Sequence, residues 1–298
     1  AAPAGHATTM MHCFEEHAMA TSFQVIIAQE DVDEAYAAQA AEAVFTEIRR
    51  LEDELSRFRP GSDIWRLSRL RAGESARVSL ATWDCLSLAK AMHEETGGAF
   101  DITIGPLMHL WRDENDNLRQ PPPEALERAR KSVGSHLFDL HEDDGLHVTV
   151  RADHMVFDLG GLGKGYALDQ AAVLLGEWSI TRAFLNAGDS TLLALGSPPG
   201  EDAWEVTLAE GARFLTLRDR SLSGSGFMVK GAHIMDPRTL QPLSVREKRG
   251  YALAPAAALS DALSTAFMIL DPEAIHSLCA RNPGVEWLEV WETREGGA

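Results

Sequence analysis

The segment Ser260-Asp261-Ala262-Leu263-Ser264-Thr265 sets a carboxylate and a hydroxyl four residues apart, on one face at the start of a helix. Both are hard oxygen donors, a set that suits Mg2+ when carbonyls, water or phosphate fill the remaining positions. The same residues also fit a plain helix start, with Ser260 as N-cap, Asp261 favouring the dipole and Thr265 packed inside. The glycine cluster from Asp158 through Gly160, Gly161, Gly163 and Lys164 to Gly165 ends a strand and opens a helix. Such a turn exposes N–H groups and a positive dipole end to an anion. It lacks the Ser/Thr after the lysine that a nucleotide P-loop needs, and its glycine spacing is not the dinucleotide fingerprint. On its own it reads equally as a phosphate cradle or as a tight strand-to-helix turn.

His233, Asp236, Pro237 and Thr239 form a compact polar turn, AHIMDPRT, between apolar stretches. His233 could serve as a base or be a satisfied structural histidine, and Asp-Pro is an ordinary turn signal. Phe58 in SRFRPGSDI and Phe100 in GGAFD could stack on a flat ring system, although Phe100 in an apolar run also fits the core. Asn186-Ala187-Gly188-Asp189-Ser190 follows a strand and reads as a turn or as a loop whose backbone approaches a ligand closely. The other histidines show no HExxH-type spacing, and three scattered cysteines give neither a thiolate zinc knuckle nor a disulfide framework.

The net charge is −18 and no Lys/Arg block interrupts it, so nucleic acid is excluded as a natural partner. An acidic protein that takes an anionic ligand needs local compensation, from a metal, helix N-termini or a few placed cations. The longest apolar runs, 254–259 and 266–270, are far shorter than the roughly 20 residues of a membrane helix. The first residues, AAPAGHATTMMHC, lack the basic-then-apolar plan of a signal peptide, so a leader is expected to have been trimmed or never to have existed.

The elements that must position these groups follow from periodicity. Strands are expected at 21–28, in GGAFDITIGPL, in a hairpin FDLHEDDGLHVTV, in HMVFDL, and at 182–186, 192–195, 204–208, 214–217 and RGYALAP. Helices are expected at 32–55, 80–95, 164–178, 260–269 and 272–281, with a helix following the prolines at 121–123. Hairpins and helix pairs come in runs without strict alternation, which predicts an α+β fold with antiparallel sheet and no linker that would divide the 298 residues.

Taken in order, FRPGSDI, GGAFDITIGP, DLGGLGKGYALD, HIMDPRT and DALST resemble the ApbE family, the FAD:protein FMN transferases, over residues 19–290. That resemblance implies a duplicated T-fold-like arrangement with FAD in a cleft between two parts. It implies Mg2+ held by Asp261, Thr265 and a backbone carbonyl near Gly161, with His233 and Asp236 beside the pyrophosphate. The cleft would be shaped by Phe58, Phe100, Asp101, Asp158 and the Gly160–Gly161–Lys164 turn, with Gly188 and Asp189 also at the cofactor. The implied reaction moves FMN from FAD to a Thr or Ser hydroxyl of an acceptor redox flavoprotein and releases AMP, with His233 as the base. Hydrolysis of FAD at the same metal, or FAD binding without turnover, would use the same residues. By the same resemblance the protein belongs in the bacterial periplasm or at its membrane, while the absence of a visible signal or lipobox leaves the cytoplasm open. Two positions depart from the family pattern, Asp189, which follows a single glycine where a pair is common, and Leu240, which stands where glycine usually follows DPRT, and the short stretch between Ser223-Gly224-Ser225-Gly226-Phe227 and His233 compresses a hairpin that is often longer and richer in aromatics.

Overall fold

The first strand pair is closed by a turn that carries none of the usual turn residues. Met19 and Ala20 both adopt left-handed backbone, φ 49° and 59°, as a two-residue type I′ turn requires, and they join β1 (His12–Ala18) to β2 (Thr21–Ile27). Asn-Gly is the usual signal for such a turn, and its lack is why β1 is not legible in the sequence. A computed structural model describes residues 11–113, 117–208, 213–225, 234–243 and 248–291.

Asp33 caps α1 (Glu34–Leu55) by accepting from the Tyr36 N–H at 2.8 Å. The buried residues of α1, Ala37, Ala40, Ala41, Val44, Ile48, Leu51 and Leu55 among them, recur at helical spacing on one face. The short α2 (Asp63–Leu67) and β3 (Ser75–Arg77) lead to α3 (Leu80–Glu95), which Ser79 caps, and Gly97 follows it with φ 57°. Then come α4 (Gly105–Trp111), α5 (Pro123–Arg130), β4 (Phe138–Glu142), β5 (Leu146–Val150) and α6 (Gly163–Glu177). The remaining elements are β6 (Ala183–Ala187), β7 (Thr191–Leu195), β8 (Trp204–Leu208), β9 (Arg213–Leu217), β10 (Arg220–Ser225), β11 (Met235–Asp236), β12 (Gln241–Pro242), β13 (Lys248–Ala254), α7 (Ala257–Ile269), α8 (Pro272–Arg281) and β14 (Glu286–Trp291).

The main sheet has seven strands in the order β1-β2-β6-β7-β10-β13-β14, and every neighbouring pair is antiparallel. Its inner face, with Phe23, Val25, Leu185 and Ala252, packs on α1, α6 and α7 in the principal core. Its other face is covered by the β8–β9 hairpin through Trp204, Val206, Leu208 and Leu217, which meet Leu222 and Tyr251. A three-stranded sheet β3-β5-β4 and a small cluster of Leu107, Trp111, Ala129, Val133, Met235 and Leu240 form the outlying part. The expected α+β architecture with antiparallel sheet is present. No helix among the described residues is long and apolar enough to cross a membrane.

Three expectations fail for identifiable reasons. GGAFDITIGPL is not a strand: the buried Asp101 takes both the N–H (2.7 Å) and the hydroxyl (2.6 Å) of Thr103, which curls the chain, and Gly105-Pro106 then starts α4. HMVFDL is likewise irregular and joins that segment through a parallel bridge between Ile104 and Val156 and a hydrogen bond from the Asp158 N–H to the Ile102 carbonyl at 2.7 Å. The helix carrying Asp261 begins at Ala257, three residues earlier than expected, so Ser260 is not its cap. The cap comes from α6 instead, where the Asp169 carboxylate accepts from the N–H groups of Ala257 (2.7 Å) and Ala258 (2.9 Å).

Candidate functional site

Helix α7 is buried almost all round, between α6 on one side and β10 and β13 on the other. Its polar residues therefore sit in a closed environment and must find partners there. Asp261 is 4 % exposed. Its Oδ2 accepts from the Gly165 N–H at 3.2 Å and lies 3.6 Å from the Lys164 ammonium. The approach requires glycine: a methyl on Gly165 would stand 2.2 Å from the carbonyl oxygen of Ala257. The cap Asp169 adds negative charge nearby. Burial pushes its carboxyl above the usual range, its two helix-cap hydrogen bonds oppose that, and the Asp261 charge raises it further.

The glycine turn closes over the same point. A methyl on Gly161 would meet Thr265 Oγ1 at 3.1 Å and the Phe100 ring at 3.4 Å, so Gly161, Phe100 and Thr265 are neighbours. Lys164 donates back to the Gly160 carbonyl at 3.1 Å, and Asp158 Oδ1 accepts from the Gly160 N–H at 2.8 Å. The fold thus brings one carboxylate, one hydroxyl, one lysine and a tight backbone turn to one place. No group of three His, Cys, Asp or Glu side chains suited to a metal occurs among the described residues. A site with a single carboxylate is the kind that suits Mg2+, which keeps water and takes its other oxygens from phosphate.

The aromatic candidates separate. Phe58 is 75 % exposed, with the Arg57 guanidinium 4.4 Å from its ring centre, and Arg57 reaches Asp158 at 3.5 Å. It offers a free face for stacking. Phe100 is buried and forms a wall behind Gly161. Asp101, also buried, is an internal fastener for the GGAFD loop: besides Thr103 it takes the Ser135 N–H at 3.0 Å and His93 Nδ1 at 2.9 Å. Burial raises its carboxyl, but the hydrogen bonds from His93 and Thr103 outweigh it and the net direction is downward. His93 moves the other way, raised chiefly by its bond to Asp101 against the opposing effect of burial.

Asp236 lies in the DPRT turn and is almost wholly committed to Arg238, accepting from its N–H at 2.9 Å, Nε at 3.0 Å and Nη2 at 3.0 Å. The stem of Arg238 passes 3.6 Å from the position of a methyl on Gly98, which joins this turn to the GGAFD loop. His233 lies outside the described residues. The two departures from the family pattern both fall on left-handed backbone. Asp189, φ 56°, sustains it by local bonds, giving its N–H to Asn186 Oδ1 (2.8 Å) and accepting from Asn186 Nδ2 (2.7 Å). Gly188 beside it cannot be replaced, since a methyl there would fall 1.8 Å from Thr21 Oγ1. Leu240, φ 62°, has no such local device and is held by burial in the outlying cluster and by the bond from Trp111 Nε1 to its carbonyl at 2.8 Å.

Leu240→Gly should therefore release about 1–2 kcal/mol of backbone strain and lose about 2–5 kcal/mol of buried side chain. A net destabilisation of about 1–3 kcal/mol is expected in urea unfolding. A midpoint raised by the substitution would mean that strain outweighs packing at this turn.

Asp189 stands apart from the metal-type cluster. With Asn186, Ser190, Glu205, Gly224 and Tyr251 it lines a cavity of about 410 Å3 beneath the β8–β9 hairpin. Gly224 and Tyr251 are paired across β10 and β13 and share a face, while Ser225 points to α7, so this cavity and Asp261 lie on opposite sides of the sheet. Arg57, Arg238, His93 and Ser225 were missed in the sequence because each acts through a partner distant in the chain or through an ordinary turn. Arg57, just before the aromatic in SRFRPG, and Arg238 within DPRT were the visible signals.

Residues 19–288 match the sequence profile described as "ApbE family". A protein of Klebsiella pneumoniae (strain 342) named "FAD:protein FMN transferase" is 26 % identical, covering 99 % of this chain and 87 % of the relative. A protein of the same name from Escherichia coli (strain K12) is 25 % identical, covering 89 % and 80 %. Among solved structures, the ApbE protein of Thermotoga maritima superposes with a TM-score of 0.80 at 27 % identity, covering 97 % of this chain and 96 % of that one. The apo flavinyl transferase ApbE of Pseudomonas stutzeri superposes with a TM-score of 0.83 at 22 % identity, covering 97 % of each chain, a likeness of fold.

Proposed function

Because the chain belongs to the ApbE family, we propose that it transfers FMN from FAD to a Thr or Ser hydroxyl of an acceptor flavoprotein, with Mg2+ and with release of AMP. The observation that carries this reading is the convergence of buried Asp261, Thr265 and Lys164 on the Gly160–Gly161 turn. Asp261 and Thr265 would hold the ion with side-chain oxygens and the Gly161 turn with a carbonyl. Bound there, Mg2+ would neutralise charge on the pyrophosphate as the leaving phosphate of AMP departs.

The chain's own groups have separable tasks. Lys164 places a cation beside Asp261 at the N-terminus of α6, where a helix end also favours phosphate. Phe58 offers its open face to a ring of the flavin dinucleotide, and Phe100 backs the metal-side turn. Asp236, saturated by Arg238, serves to hold that arginine, whose stem lies against the GGAFD loop. The base is His233: the acceptor hydroxyl gives its proton to the imidazole as its oxygen bonds to the FMN phosphorus, and the bond from that phosphorus to the AMP phosphate breaks.

The reading is tested by incubating the protein with FAD, Mg2+ and a redox protein carrying a Thr/Ser flavinylation loop. Mass spectrometry should find the acceptor heavier by one FMN less water, in step with AMP. AMP without a mass gain on any acceptor would make the protein an FAD pyrophosphatase.

A further inference from the structure

Ser221, Ser223 and Ser225 alternate along β10 and so project from the same face of the sheet, onto α7. Ser221 and Ser223 each meet Ser260 Oγ at 2.7 Å. Ser225 meets Ser264 Oγ at 2.8 Å and Thr265 Oγ1 at 3.3 Å. Around Ser260 the proton has three acceptors in reach, Ser221 Oγ, Ser223 Oγ and the Ala257 carbonyl at 3.0 Å, and Ser221 also reaches the Leu192 carbonyl at 2.7 Å, so the contacts there cannot all be hydrogen bonds at once and the direction is open.

At Ser225 a single arrangement makes all three contacts hydrogen bonds at once. Ser264, fully buried, lies 2.9 Å from the carbonyl oxygen of Asp261, an atom that can only accept, so Ser264 donates there. A hydroxyl has one proton, hence Ser225 must donate across the 2.8 Å contact to Ser264. With its proton spent, Ser225 can only accept from Thr265 at 3.3 Å. The relay therefore runs from Thr265 to Ser225, to Ser264, to the backbone of Asp261.

We propose that Ser225 is a positioning residue for a divalent cation at Asp261 and Thr265: the relay draws the Thr265 proton away and turns the oxygen lone pairs towards the ion. The proposal rests on the metal reading above. An O–H aimed at a cation repels it, so a hydroxyl ligand is useful only when something accepts its proton. Here the relay ends on the backbone of the residue whose carboxylate is the other ligand, which ties both donors into one rigid unit. Partners of this kind are commonly worth 10- to 100-fold in metal affinity.

The test uses the full chain with saturating FAD and Mn2+ as probe, with free ion read by electron paramagnetic resonance and the fold by thermal melting. Ser225→Ala is expected to raise the Mn2+ Kd by about tenfold or more. Ser225→Thr, which restores the hydroxyl, should bind as wild type does. Ser264→Ala, which is one step further from the Thr265 hydroxyl, should weaken binding by a smaller factor. Ser223→Ala removes a more deeply buried hydroxyl from the same strand and should lower the melting temperature without changing the Kd. Wild-type Mn2+ affinity in Ser225→Ala, alongside loss of binding in Asp261→Asn, overturns the relay and leaves the metal site standing. Wild-type affinity in Asp261→Asn overturns both. Should Ser225→Ala fail to fold, unaltered Mn2+ binding in Ser264→Ala is the result that overturns the relay.

Discussion

Asp261→Asn is expected to cut Mg2+-dependent AMP release by roughly 10²- to 10³-fold, the rate equivalent of the several kcal/mol a bound metal supplies to a developing charge. The amide keeps the shape and one neutral oxygen but loses the charge that draws a dication into the site. The fold should survive. Gly165 N–H can still donate to the amide oxygen, and Lys164 keeps its bond to the Gly160 carbonyl. The neighbouring Asp169, whose task is to cap α7, cannot substitute, because both its oxygens are engaged by the N–H groups of Ala257 and Ala258. Raising Mg2+ should recover part of the lost rate if the variant is defective in metal affinity. A variant that melts as wild type does and turns over at the wild-type rate would place the metal elsewhere.

His233→Ala is expected to lower FMN transfer by roughly 10²- to 10⁴-fold, the usual contribution of a general base, with FAD affinity nearly unchanged. The two described carboxylates of the DPRT turn and its surroundings are already engaged by the fold. Asp236 is engaged by three hydrogen bonds from Arg238. Asp101 is sealed inside by His93, Thr103 and Ser135, and its carboxyl is held below the usual range. Neither can take a proton from an incoming hydroxyl without breaking the structure around it. A base also leaves a pH signature, so transfer by the wild type should rise with pH through the histidine range, and that limb should be absent in the variant. Loss of FAD binding in His233→Ala would instead make the residue a ligand-positioning group, and an unchanged rate would return the role to solvent.

What was legible in the sequence is what local physics controls. The period of apolar residues placed α1, α3 and α8 within two residues of their ends, and the turn chemistry of FDLHEDDGLHVTV predicted the hairpin of β4 and β5. The ordered motifs carried, through the family resemblance, the expectation of a metal at Asp261, Thr265 and Gly161, and the fold makes Gly161 and Thr265 neighbours.

The tertiary structure decided everything that depends on a distant partner. It moved the start of α7 to Ala257 and gave its cap to Asp169, since a carboxylate from α6 reaches those N–H groups while Ser260 is drawn into hydroxyl contacts with β10. It bent GGAFDITIGPL out of strand geometry, since one buried carboxylate with four bonds from Thr103, Ser135 and His93 outweighs the β propensity of its neighbours. It separated Asp189 from Asp261 by putting them on opposite sides of one sheet, a consequence of strand alternation that a list of motifs does not contain. It also joined Ser225 to Thr265 across 40 residues. A donor set is written in the sequence by residue type, but the direction in which each lone pair points is fixed only when the fold supplies the partner that takes the proton.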